Sequence, residues 1–139
     1  MRISPPLSTT VIAAAALPPL PGTATAAPQT PPLTPVASLA ADRLATADLV
    51  AAAKWGTDSP IDDPAREQQV LDTVAAQAQR IGADPDEIRR VFRDQIEANK
   101  LVQRALFAEW TAHPEHAPTT KPDLSAARQT TNRLNQTLV

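Results

Sequence analysis

Two amides sit where a long helix should present hydrocarbon. Phe92, Ile96, Asn99, Gln103, Leu106 and Trp110 follow one another at steps of 4, 3, 4, 3 and 4. That spacing holds one face of a helix against its neighbours. A buried amide without partners costs roughly 1–3 kcal/mol, so two of them one turn apart need a reason. They could be a polar pair that fixes the register of a helical bundle, or the seam could open there into a polar pocket. Two cations raise the same question earlier in the chain. Leu39, Arg43, Ala47, Val50 and Lys54 fall at steps of 4, 4, 3 and 4. Arg43 and Lys54 therefore point the same way, about 16 Å apart. Either they snorkel from the edge of an apolar stripe, or both reach the pocket that Asn99 and Gln103 open.

These residues have to be positioned by helices. The Ala-rich segment from about Val36 to Trp55 reads as the first. Asp63 followed by Pro64 is a strong start for a second, with Val70, Val74, Ala78 and Ile81 expected inward and Gly82 as its C-terminal cap. Arg66 and Glu67 lie in its first turn, where simple surface charge is the plain reading and Glu suits the helix dipole better than Arg does. Asp84-Pro85-Asp86-Glu87 is a capping box, so the third helix should run to about Trp110, roughly 40 Å. Asp123 caps a fourth, along which Leu124, Ala127, Thr131, Leu134 and Leu138 repeat a 3-4-3-4 stripe with Arg128 at its edge. This fourth helix reads as unfinished at Val139. No stretch has a strand pattern. The expected class is all-α, a helical bundle organised on one long central helix over about 84–110.

Composition narrows the function. The chain has 139 residues, a net charge of −2, no cysteine and three glycines. The balance of charge argues against a nucleic-acid partner, and the scarcity of glycine against phosphate-cradling loops. His113 and His116 stand in a Pro-flanked loop and read as exposed surface residues, so no metal cluster and no cofactor are expected. The first 41 residues carry one charge, Arg2, and nine of the fifteen prolines. A basic start, the apolar run Val11–Leu17 and the small residues Gly22–Ala27 fit an export signal over residues 1 to about 27, the alternative being a disordered apolar tail. A Pro/Thr linker over 28–35 and a helical domain over 36–139 follow. Pro18, Pro19 and Pro21 interrupt the run too early for a membrane span, which needs about 20 apolar residues. No membrane partner is expected once the signal is removed, and the location is periplasmic or secreted.

From about Leu39 to Leu138 the chain resembles the all-helical, type II chorismate mutases, and in particular their exported subclass. The resemblance rests on Asp42-Arg43-Leu44, Val50–Trp55, Pro60–Gln68, Asp84-Pro85, Phe92–Asn99 with Gln103, and Pro122–Arg128. It implies that Arg43 binds a substrate carboxylate and that Lys54 contacts both a carboxylate and an ether oxygen. It likewise implies Arg66 on the substrate side, Glu67 at the ring hydroxyl and Asp63 as a supporting acid. Asn99 would stand beside a carboxylate, and Gln103 would donate a hydrogen bond to the ether oxygen. Arg128 matches an arginine that the exported subclass supplies from its own fourth helix. In the intracellular subclass the partner subunit supplies that cation from a position that is Ala26 here. Relatives continue with further helices, so a homodimer is expected to complete the core.

Chorismate carries two carboxylates and rearranges to prephenate in one unimolecular step that needs no acid, base, nucleophile or metal. Catalysis must then come from holding a reactive conformer and stabilising charge as the ether bond breaks. Arg43, Arg66 and Arg128 suit the carboxylates, and Lys54 and Gln103 suit the ether oxygen. The expected activity is an isomerase's. The rival from another class is a non-catalytic exported helical binding module, or an inactive fragment of such an enzyme.

Overall fold

The computed structural model describes residues 34–139, and the export signal and nearly all of the linker lie outside the described residues. Four helices account for most of it. They are α1 (Thr34–Lys54), α2 (Pro64–Arg80), α3 (Pro85–Ala112) and α4 (Leu124–Leu138), with a short 3-10 turn at Pro114–His116. The described residues contain no strand, and the class is all-α.

Each of the three expected helix starts has its Asp cap. The capping box expected over Asp84–Glu87 is half formed: among the described residues Asp84 accepts at the helix start and no bond joins its own N–H to the Glu87 side chain. The Asp63 side chain accepts from the Arg66 N–H at 3.1 Å, and Glu67 Oε1 accepts from the Asp63 N–H at 3.3 Å. Asp84 accepts from Asp86 N–H at 2.8 Å, and Asp123 from Ala126 N–H at 2.9 Å. Each carboxylate meets the positive end of its helix while satisfying an orphan donor. Gly82 ends α2 at φ +77°, a conformation that costs a residue with a Cβ about 1 kcal/mol or more.

α3 is the spine, flanked by α1 on one side and α2 on the other, while α4 lies along α1 and meets α2 more lightly. Small residues allow the close approach: Ala47, Ala51, Ala75, Ala78 and Ala127 are almost wholly buried. Leu71, Val74 and Phe92 form the apolar centre, with Ile88, Ile96, Leu138 and Val139 packed around it. At the other end of the spine Trp55 meets Phe107 and Trp110 edge-on, with ring centroids 5.0 and 5.3 Å apart. Between these two apolar ends lies the polar stretch of α3.

One core assignment fails. Ile81, expected inward, is 61% exposed. It is the C-cap of α2, with φ −98° and ψ 3°, so its side chain leaves the helical stripe, and the buried residues of the helix are Leu71, Val74, Ala75 and Ala78. Phe92 is one of the two largest side chains that are fully buried. Phe92→Ala should therefore lower the unfolding free energy by about 3–5 kcal/mol, read as a fall in the urea midpoint with the slope unchanged. A loss below about 1 kcal/mol would mean that the centre lies elsewhere.

Candidate active site

α1 carries its two cations to the inside of the bundle. Arg43 is 3% exposed and Lys54 5%, so neither snorkels to solvent. The Arg43 Nε donates to Asn135 Oδ1 of α4 at 2.7 Å, and the guanidinium lies 5.6 Å from the centre of the Phe92 ring. Its Nη1 is buried without a partner. Burial pushes the Arg43 pKa down to about 10. Lys54 Nζ donates to the Ile61 carbonyl at 3.3 Å. Its pKa is lowered as well, first by burial and then by the charge of Arg128.

The start of α2 faces the same space. Asp63 caps the helix through Oδ1, while its Oδ2 accepts from Arg128 Nη2 of α4 at 3.1 Å. Arg66 donates to Gln69 Oε1 and to Asn132 Oδ1 of α4, both at 2.7 Å. Burial, and then Arg128, lower the Arg66 pKa. On α3, Gln103 Nε2 donates to Asn99 Oδ1 at 2.7 Å, so the two amides partner one another. Nε2 keeps a second hydrogen, and Gln103 Oε1 is buried without a partner. Lys100, beside Asn99, bonds Glu97, Glu67 and Asp62 at 2.7 to 3.2 Å. Its pKa is raised well above the usual range, chiefly by Glu97.

Arg43, Lys54, Asp63, Arg66, Glu67, Asn99, Gln103 and Arg128 thus all line one cavity, with about 620 Å³ of space including its open mouth. No expected site residue lies elsewhere. Among the described residues, Arg43, Lys54 and Arg66 hydrogen-bond neutral acceptors only. Neutral partners aim these cations without cancelling their charge. The result is an excess of positive charge in a partly dry space, which suits a small ligand with more than one carboxylate.

The sequence of residues 36–104 matches the family model for chorismate mutase type II. A secreted chorismate mutase of Mycolicibacterium smegmatis is 44% identical over 128 residues, covering 92% of this chain and 71% of that protein. The chain belongs to the type II chorismate mutases. A secreted chorismate mutase of Mycobacterium tuberculosis is 41% identical over 100 residues, and the match spans half of that longer relative. The crystal structure of chorismate mutase from Burkholderia thailandensis superposes with a TM-score of 0.72 at 44% identity, covering 76% of this chain and 67% of that one. The bundle is thus the type II chorismate mutase fold.

Three polar residues of the site escaped the sequence reading. Lys100 adjoins the amide seam, and Asn132 and Asn135 follow Arg128 at steps of 4 and 3. That polar stripe on α4 was legible as spacing, but nothing in it told which element it would face. Asn135, 5% exposed, holds Arg43 by its Nε. Asn135→Leu keeps the forked shape of the side chain, with two bulkier methyl groups, and strands that buried N–H. It should cost about 1–3 kcal/mol of stability in urea unfolding, overpacking adding to the loss. Unchanged stability would show that Arg43 finds another partner.

Proposed function

We propose that the protein rearranges chorismate to prephenate in this cavity. Arg43, Arg66 and Arg128 hold the two carboxylates, with Asn99 beside one of them. Lys54 and the free N–H of Gln103 face the ether oxygen, and Glu67 takes the ring hydroxyl. The reading is carried by one observation: four helices contribute cations and amides to a single space where buried positive charge lacks an anion. In the reaction one C–O bond breaks as one C–C bond forms within the same molecule, and no proton leaves. The protein's work is to bind the compact conformer and to meet the negative charge growing on the ether oxygen. A bound dianion also offsets the repulsion among the cations, so substrate binding and cation burial support each other.

The same reading makes the protein an exported homodimer, periplasmic or extracellular, without nucleic-acid or membrane partners. Export is supported by relatives named as secreted in Mycolicibacterium, Mycobacterium and Yersinia. Val91 and Leu101, 49% and 65% exposed on α3, are single apolar side chains that a second copy would cover. No helix among the described residues is long and apolar enough to cross a membrane.

Mixing the protein with chorismate and following the loss of its ultraviolet absorbance tests the activity directly; no loss above the uncatalysed rate overturns the reading. Lys54→Ala should reduce kcat/KM by about 100-fold or more while leaving the helical circular dichroism intact. Loss of both together would make Lys54 structural.

The pH profile separates two roles. An amide donates at any pH, so Gln103 predicts a rate nearly flat from mildly acidic to neutral conditions. A steep rise only on acidification counts against it. On the alkaline side Lys54 loses its proton below the ordinary 10.5, and kcat/KM should fall there. Stability responds with the opposite sign. Between the lowered folded pKa and 10.5 the unfolded lysine binds more protons, so this group's contribution to stability rises with pH. Below about pH 10, where Lys100 with its raised pKa stays protonated and its own contribution is not yet lost, activity lost while the urea midpoint holds or rises is the expected result. A parallel fall of both in that window overturns it.

A further inference from the structure

The loop after α3 gathers every histidine in the chain. There are two, His113 and His116, and there is no cysteine. The spacing is His-Pro-Glu-His, and the 3-10 turn folds it back so that the His116 N–H donates to the His113 carbonyl at 2.9 Å. The turn stacks the two rings, with centroids 5.2 Å apart and planes 26° apart, and brings Glu115 within reach of a nitrogen of each. Its Oε1 lies 3.4 Å from His113 Nδ1 and 4.0 Å from His116 Nε2, and one donor atom from each residue falls within 4.8 Å of the others. A zinc ion with ligands at about 2.0–2.1 Å needs donor atoms about 3.4 Å apart, so one edge is already at that spacing. The other separations, 4.0 Å and up to 4.8 Å, close by rotation of three exposed side chains, which also unstacks the two rings.

A second feature points to the same ligand. The other nitrogen of His116, Nδ1, sits 2.8 Å from Glu109 Oε1, one turn back on α3. A carboxylate on Nδ1 keeps the proton there and leaves the lone pair on Nε2, the nitrogen that faces Glu115. This outer carboxylate orients a metal-binding imidazole.

We propose that His113 Nδ1, His116 Nε2 and the Glu115 carboxylate bind a divalent transition cation of the zinc type, with water in the remaining position and Glu109 orienting His116. Imidazole with carboxylate suits such a cation better than calcium or magnesium. The ion would staple the end of α3 to the loop that leads into α4. The site is separate from the cavity, and no step of the rearrangement passes through it.

Calorimetric titration of zinc chloride into the untagged full chain tests the proposal, with magnesium chloride as the comparison. Expected is one saturable zinc ion per chain and none for magnesium. His116→Ala and His113→Ala should each abolish binding, and Glu109→Gln should weaken it about tenfold. Circular dichroism and chorismate turnover should stay unchanged in all three variants, since none of these residues touches the cavity. Absence of zinc binding overturns the site, as does binding that survives His113→Ala/His116→Ala. Binding that needs the histidines but ignores both Glu115→Gln and Glu109→Gln overturns the proposed geometry.

Discussion

Buried positive charge without its own anion is the constraint on which this structure turns. Taking a guanidinium or an ammonium out of water is expensive, and a carboxylate normally offsets it. Lys100 is handled in that way, wedged among Glu97, Glu67 and Asp62. Arg43, Lys54 and Arg66 are not. A side-chain amide, a main-chain carbonyl or a pair of amides steadies each of them. The fold carries this cost because the two apolar ends of α3 and the alanine-lined helix contacts hold the bundle together around it.

Asp63 shows how economically the site is tied to the scaffold. One carboxylate oxygen starts α2 by accepting from the Arg66 N–H, and the other holds Arg128 on α4. Glu67 repeats the pattern, bonding the Asp63 N–H while it pairs with Lys100 of α3. The helix start and the site wall are therefore one construction. A change at either acid disturbs the local fold and the field in the cavity together, so activity alone cannot apportion its effect.

Much of this was legible in the sequence. Helix starts at Asp63, Asp84 and Asp123 are local chemistry, and the structure has caps at all three. The polar interruptions in apolar stripes, Arg43 with Lys54 and Asn99 with Gln103, pointed to the cavity they line, because a helix face is a one-dimensional record of its surroundings. Ile81 misled because periodicity says nothing about where the last turn unwinds. Asn132 and Asn135 were missed because their partners, Arg66 and Arg43, lie 66 and 92 residues away in the chain. Pairings at that separation are set by how helices dock, and no local rule encodes them.

α4 buries little apolar surface, Ala127 being its one fully buried apolar residue, yet Arg128, Asn132 and Asn135 are all on it. It leans chiefly on α1, partly through Thr131 and Thr46 hydroxyls 3.1 Å apart, and touches α2 only sparsely. Elements with few apolar contacts open at lower free energy than the domain as a whole. Fraying of this one segment would release the anchor of Arg43 and the partner of Arg66 while the other three helices kept their amide protons protected. Function in such a molecule can fail on warming well before the fold melts, and a ligand that bridges α1, α2 and α4 would act as its own splint.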